Sequence, residues 1–481
     1  MKLINPLIII KILGAVMLFM TISFLACLPV SIIFDEPPGP FLISALVSGI
    51  ACILFRVVGR KAEIKSISNR DGYLSVVLSW LLMASAGAMP FIFSGAIPSF
   101  IQAFFESSSG FTTTGASAVK DLGYLPSSIL FWRNFTQWLG GLGIIIMITV
   151  ILPALKILGL QQFSVEPFTR ERLHSGTRSF LLSISLVYAG LTFSEVLFLA
   201  MGDMNLFDSI CHSFGTVSTG GFSTRNDSLQ SFSSYSQYIV MIFMFLAGIS
   251  HLVYYNVLRL RFSKVKHNEE LRFYTGTVIA AGLIIIIILT LFTGNAFPTV
   301  VRDGLFQVDS IISTTGFISA NLSCWPASAL LLIFLLYFSG ACTGSTTGGI
   351  KMARHLVVIK NIRSVFTKLN HQNVVTQVKL NRNPLPENVN TSAISFLLLY
   401  VIVFFTGSLL VALSGSDPVT SASSVASCLG NIGPALGNAG DVTVYANMPG
   451  KSLFILSMLM IVGRLEIFAV FALFSKTFWK L

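Results

Sequence analysis

The chain has 481 residues, 54% of them hydrophobic and only 11% charged, and its mean hydropathy is +0.80. Soluble domains carry about 25% charged residues, so a soluble globular protein is excluded and a polytopic membrane protein is expected. The net charge of +11 would suggest nucleic acid in a soluble chain. Here most Lys and Arg lie at the two ends and near residues 56–70, 156–178, 259–272 and 351–382, the pattern of loops held on the cytoplasmic side. The expected surround is therefore a lipid bilayer, with no nucleic-acid partner and both termini cytoplasmic. Cys27, Cys52, Cys211, Cys324, Cys342 and Cys428 have no metal-ligand spacing and sit in or beside apolar runs, so buried free thiols are expected.

In chain order, residues 12–34 and 41–58 form a hairpin of two spans turned at Asp35-Glu36-Pro37-Pro38-Gly39-Pro40. Four units of like layout follow: a span, a half-helix, a Ser/Thr/Gly loop and a return span. The first uses 73–94, 98–109 and 127–158, and the second 180–201, 206–216 and 234–260. The third uses 273–292, 299–312 and a broken return over 326–366; the fourth uses 392–413, 418–428 and 452–478. The fold class expected is an all-α membrane protein with ten spans and four re-entrant segments. Its parts are a hairpin over 1–70 and pore repeats over 71–160, 161–268, 269–370 and 371–481. The half-helices are too short to cross a bilayer, at roughly 15 Å for ten residues. Pro98 and Pro418 mark two of their entries, where a missing N–H costs nothing.

The loops carry the argument. Phe111-Thr112-Thr113-Thr114-Gly115 returns as Val217-Ser218-Thr219-Gly220, as Ser313-Thr314-Thr315-Gly316 and, more weakly, as Gly430-Asn431-Ile432-Gly433. An irregular loop between apolar segments leaves backbone groups unpaired at several kcal/mol each, unless it lines an aqueous path. There its carbonyls can replace a cation's water, glycine permitting the inward-facing backbone. The half-helices would aim their negative ends at that point. The alternative for any single loop is a helix-packing glycine, as expected for Gly140-Gly141-Leu142-Gly143 on a return helix. Four loops in matching positions favour a ring around a pore.

Other features are read beside it. Gly340-Ala341-Cys342-Thr343-Gly344-Ser345-Thr346-Thr347-Gly348-Gly349 interrupts the third return helix where the other repeats stay apolar. It is either a packing kink or a flexible plug beneath the ring, with Lys351 and Arg354 anchoring its cytoplasmic end. Arg464 is a cation inside the last apolar helix. Glu466 is two residues on and shares no face with it, so Arg464 is a functional candidate or half of a structural salt bridge. Glu106 has Cys211, Gln307 and Ser424 at its offset in the other repeats, so it forms no acidic ring and is expected to support its loop by hydrogen bonds. Asp203, Asp227, Asp303 and Asp441 are placed in external loops. His174, His212, His251, His267, His355 and His371 are dispersed. Gly450-Lys451-Ser452 lacks the first glycine of a phosphate-binding loop, Tyr445 standing there. No enzyme is expected.

On these loops the whole chain resembles the TrkH branch of the Trk/Ktr/HKT potassium-transporter family, akin to KtrB and the plant HKT transporters. Its extra N-terminal hairpin is similar to that branch rather than to KtrB. The resemblance implies filter carbonyls from Thr113, Thr114 and Gly115, from Ser218, Thr219 and Gly220, from Thr314, Thr315 and Gly316, and from Asn431, Ile432 and Gly433. It implies potassium as the ion, since Gly115 stands where sodium-favouring members often have serine; a sodium-selective or sodium/proton-coupled transporter is the alternative. It also implies an intramembrane gating loop at Gly340, Gly344, Gly348 and Gly349, and Arg464 as an electrostatic barrier below the filter. A homodimer in the bacterial inner membrane, a cytosolic TrkA-type nucleotide-responsive partner and no cofactor in this chain complete the expectation.

Overall fold

A computed structural model describes residues 4–61, 68–147, 177–371, 377–381, 383–436 and 444–479. Among these, regular structure is helical apart from one antiparallel pair of two-residue strands, Lys379–Leu380 with Asn383–Pro384. The N-terminal hairpin is α1 (Pro6–Ile33) and α2 (Gly39–Val58). The Asn5 side chain caps α1 by accepting from the Leu7 N–H, and Pro6 opens the helix where its missing donor is harmless. The hairpin is tied to the first repeat at both ends. Asn5 donates its own N–H to Asp71 Oδ1 at 2.7 Å, and Asp71 completes a capping box with Ser68 at the start of α3 (Asn69–Gly87). Across the bilayer, Glu36 accepts from the N–H groups of Ser127 and Ser128 at 2.5 and 2.9 Å, at the start of α5 (Ser127–Ile146).

The four half-helices are α4 (Phe100–Phe111), α7 (Leu206–Val217), α11 (Phe297–Ile312) and α15 (Pro418–Gly430). The longest has 16 residues, roughly 24 Å, short of the ~30 Å apolar core of a bilayer. Each packs between an outer span and a return helix. The outer spans of the later repeats are α6 (Thr177–Ala200), α10 (Glu269–Phe292) and α14 (Glu387–Leu413). They expose apolar side chains such as Leu186, Leu283 and Phe405, as suits a surface facing lipid. The half-helices are polar inside instead, burying Ser107–Ser109 of α4 and Ser423, Ser424 and Ser427 of α15. Among the described residues, six helices are long and apolar enough to cross a membrane, and two further helix pairs qualify if each is one bent span. The chain is a multi-pass membrane protein.

Among the described residues, the return helices of three repeats are broken, not that of the third alone. The third is interrupted as expected, between α12 (Ala327–Leu336) and α13 (Met352–Asn370). The second bends by 89° between α8 (Ser234–Ala247) and α9 (His251–Leu258), and the fourth by 103° between α16 (Gly450–Arg464) and Phe468–Phe474. Ser250 supplies the extended N-cap of the restarted second helix, and Glu466 adopts φ +54° in the fourth break. Both bends are short polar interruptions, Gly248-Ile249-Ser250-His251 and Arg464-Leu465-Glu466-Ile467, inside otherwise apolar stretches, so a hydropathy average over the span does not register them. Two further expectations need correction. Cys324 is exposed, unlike the other five thiols, because it lies in an external 3₁₀ turn. Asp303 sits inside α11 beside Arg302, not in a loop. The end of the first return helix over 148–158, the basic link to Arg172 and His174, and Asp441 lie outside the described residues.

Candidate functional site

Each half-helix ends the same way. Thr113, Thr219, Thr314 and Asn431 adopt left-handed backbone at φ +51°, +57°, +54° and +55°. The next residue donates its N–H back to a carbonyl five residues earlier: Thr114 to Ser109, Gly220 to Gly215, Thr315 to Ser310 and Ile432 to Ser427, at 2.7 to 2.9 Å. This is the Schellman stop, which consumes N–H groups internally and leaves the following carbonyls free to point elsewhere. A left-handed non-glycine residue costs roughly 1–2 kcal/mol, and four in register mark a built feature. Two residues later comes a glycine with positive φ: Gly115 (+83°), Gly221 (+73°), Gly316 (+80°) and Gly433 (+111°).

These four glycines form a closed circuit. A β-carbon on Gly115 would overlap the Gly220 carbonyl oxygen, one on Gly221 that of Thr315, and one on Gly316 that of Ile432. One on Gly433 would come within 2.6 Å of the Thr114 oxygen. The contacts run in chain order and the last returns to the first, so the loops surround one axis, each glycine's missing side chain against the next repeat's carbonyl. The same four glycines line one cavity. The register of the second loop therefore differs from the one read in the sequence. Gly221, not Gly220, is the counterpart of Gly115; Gly220 matches Thr114, and Ser218 matches Thr112. Two adjacent glycines both satisfy the motif, and only the backbone separates them.

Behind the ring stands a buried polar network in which Glu106 takes the supporting role expected of it, with Arg133 and Gln137 as partners that the loop motifs do not single out. The Glu106 carboxylate pairs with Arg133 of α5 and accepts from Ser117 Oγ at 3.0 Å and the Ala118 N–H at 2.9 Å, fixing the exit of the first loop. Arg133 also donates to the Ser223 carbonyl at 2.9 Å and covers the Phe222 ring, binding the second loop's exit to the same pair. One turn further on, Gln137 donates Nε2 to the Gly220 carbonyl at 2.7 Å and accepts from the Phe222 N–H at 3.0 Å. Tyr445 donates to the Gly433 carbonyl at 2.8 Å. Asn431 donates to Thr114 Oγ1 at 3.1 Å and to the Met460 carbonyl at 2.9 Å, stitching the fourth loop to the first. Arg133 and Gln137 lie four apart in an apolar helix, so the criterion that singled out Arg464 could have found them. Gly140 and Gly141 pack as expected, against the Phe111 backbone and against Tyr188 and Ser218.

Directly under the ring lies the 340–349 segment, nearly all of it buried. Thr346 donates to the Val217 carbonyl at 3.2 Å, and the Gly348 N–H donates to Thr314 Oγ1 at 2.9 Å. A β-carbon on Gly348 would overlap the Gly430 carbonyl, and one on Gly340 would overlap that of Gly348. The segment thus touches three of the four loops. The helix breaks converge on it: the His251 N–H reaches the Gly344 carbonyl at 3.0 Å, and the Cys342 N–H reaches that of Gly248 at 3.1 Å. Arg464 Nη1 donates to the Thr346 carbonyl at 2.6 Å. Its Nε and Nη2 are buried with no partner among the described residues. Glu466 pairs instead with Arg354 at 2.5 Å. Lys351 turns back onto Thr347, through the carbonyl and, at 2.8 Å, the hydroxyl.

Beyond the ring, Asp121 joins Asn226 at 2.6 Å across the first and second exits; that amide and the Gly123 N–H hold its carboxyl below the ordinary range. Asp203 is engaged by Ser233 and Ser236. No group of three or more His, Cys, Asp or Glu that could hold a metal occurs among the described residues. The site offers main-chain oxygens, hydroxyls and helix C-termini disposed around one axis.

Comparison with known proteins agrees with this architecture. The TrkH family, described as "Cation transport protein", matches residues 45–480. The Trk system potassium uptake protein TrkH of Escherichia coli K12 is 36% identical over 429 residues, covering 87% of each chain. That of Halomonas elongata is 32% identical over 480 residues, covering 98% of this chain and 99% of its own. The crystal structure of the potassium transporter TrkH from Vibrio parahaemolyticus superposes with a TM-score of 0.89 at 30% identity, over 98% of this chain and 99% of that one. The chain belongs to the TrkH family of cation transport proteins.

Proposed function

We propose that this chain is the ion-translocating membrane subunit of a potassium-uptake system, not an enzyme, and that potassium crosses the ring of four loops by exchanging water for main-chain oxygens. The observation that carries the reading is the circuit in which each loop's positive-φ glycine abuts the next loop's carbonyl. Such a ring offers oxygens at one level from four directions, and four half-helix C-termini add negative potential there. The ligating set is the backbone of Thr113, Thr114 and Gly115, of Thr219, Gly220 and Gly221, of Thr314, Thr315 and Gly316, and of Asn431, Ile432 and Gly433. Ser218 ends its half-helix just before the set. Each carbonyl has two lone pairs, so the Gln137 bond to Gly220 leaves one for the ion.

The segment from Gly340 to Gly349 is the gate, held under three loops by bonds that can break. Arg464 sets a positive charge at the same depth, opposing a cation that has left the ring. The basic cytoplasmic stretches orient the chain with both termini inside the bacterial inner membrane and offer a docking face for a nucleotide-responsive TrkA-type regulatory subunit. The chain works as a homodimer, its parts being the hairpin over 1–70 and the four repeats that follow. Rubidium uptake by potassium-starved cells expressing the chain tests the reading. Potassium should compete well and sodium poorly; uptake driven only by a sodium gradient and indifferent to potassium would overturn it.

A further inference from the structure

We propose that Glu270 is the positioning residue that latches the 340–349 segment shut, by holding both of its ends with one carboxylate. Glu270 is in the first turn of α10, an outer span with no part in the ring. Its Oε1 accepts from the Thr343 N–H at 2.5 Å and from the Ala353 N–H at 3.2 Å. The first donor is near the segment's entry, the second in the first turn of α13 just past its exit. An irregular segment is closed by whatever fixes its two ends, and here one oxygen fixes both. Thr343 and Ala353 cannot separate while that oxygen serves them. Within the segment, the Gly340 N–H to Ile350 carbonyl bond at 2.9 Å and the Met352 N–H to Ala341 carbonyl bond at 3.2 Å bring the same two ends together. The pair of backbone bonds is neutral; the carboxylate adds charge-assisted ones, roughly twice as strong each.

The adjacent residue connects this latch to the cytoplasmic surface. Glu269 pairs with Lys360 of α13, and Lys360 also donates to the Lys379 carbonyl of the small hairpin at 2.7 Å. The Glu269 N–H in turn donates to Asn381 Oδ1 of that hairpin at 2.8 Å. One helical turn therefore carries a handle outside and a latch inside. A displacement of α13 or of the hairpin reaches Glu270, and through it both ends of the segment, without any contact to the ring.

This inference rests on the reading of 340–349 as a gate, and the test separates the two. Basal rubidium flux is measured in proteoliposomes at equal folded protein for the full chain, Glu270→Ala, Glu270→Gln, a deletion of 341–348, and the deletion combined with Glu270→Ala. Glu270→Ala should raise basal flux at least fivefold, with rubidium-over-sodium preference unchanged because the ring is untouched. Glu270→Gln keeps an acceptor of the same shape and should fall between. With the segment deleted, Glu270→Ala should add nothing. Basal flux unchanged by both Glu270 variants, while the deletion raises it, would overturn the latch and leave the gate. A deletion that raises nothing would overturn the gate and the latch together. If Glu270→Ala fails to fold, Glu270→Gln alone decides, since it removes the charge while keeping one acceptor oxygen and exchanging the other for an NH2 donor.

Discussion

Gly221 and Gly220 are neighbours, yet the structure assigns them different tasks, and alanine at each separates the structural register from the one read in the sequence. At Gly221 a β-carbon would overlap the Thr315 carbonyl oxygen, where real β-carbons stay beyond 3.0 Å. The oxygen is backbone and cannot swing aside, so the ring must open by about 1 Å or more to restore contact distance. The φ of +73° adds roughly 1–2 kcal/mol of left-handed strain. A polar group bonded to a charge contributes about 1.5–3 kcal/mol, so losing one carbonyl from the ion should lower flux about ten- to a hundredfold. At Gly220 a β-carbon would meet Gln137 Cδ, Oε1 and Nε2 at 2.5, 2.7 and 2.8 Å. Those are the end of a side chain, which can rotate away at the cost of two hydrogen bonds, about 1 kcal/mol each. Rubidium influx and sodium competition in proteoliposomes should show Gly221→Ala nearly inactive and Gly220→Ala reduced less. The reverse order, or two equal losses, would refute the register and with it the circuit of glycines.

Other consequences are as direct. Gln137→Leu removes the donor to the Gly220 carbonyl and should weaken potassium-over-sodium preference severalfold in competition assays while leaving folded yield near that of the parent. Glu106→Gln breaks a buried pair with Arg133; losing one partner of such a pair costs about 3–5 kcal/mol, so thermal unfolding in detergent should drop markedly. Arg464→Ala should raise conduction, because it removes both a charge on the path and the bond to the Thr346 carbonyl; loss of folded protein with no gain in flux per molecule would assign Arg464 a structural role.

Much of this architecture was legible because bilayer physics writes in long, simple signals. Spans, half-helices and the loops between them follow from hydropathy, short segment length and a repeated Ser/Thr/Gly motif. What was not legible depends on direction and distance. Gly220 and Gly221 are alike as letters and differ only in φ. The bends at Gly248–Ser250 and Leu465–Ile467 are short interruptions of apolar spans, and what meets the first of them, the 340–349 segment bonded to the Gly248 carbonyl and the His251 N–H, lies far along the chain. Nothing in the sequence singles out Glu270, because its bonds to Thr343 and Ala353 cross more than seventy residues. Cys324 was read with its apolar neighbours, but the turn that carries it faces outward.

Anomalous scattering from rubidium soaked into crystals of the protein tests the central claim most directly. The account predicts a peak on the axis enclosed by the carbonyls of Thr114, Gly220, Thr315 and Ile432. Rubidium found only at acidic surface side chains, with that axis empty under saturating ion, would contradict it.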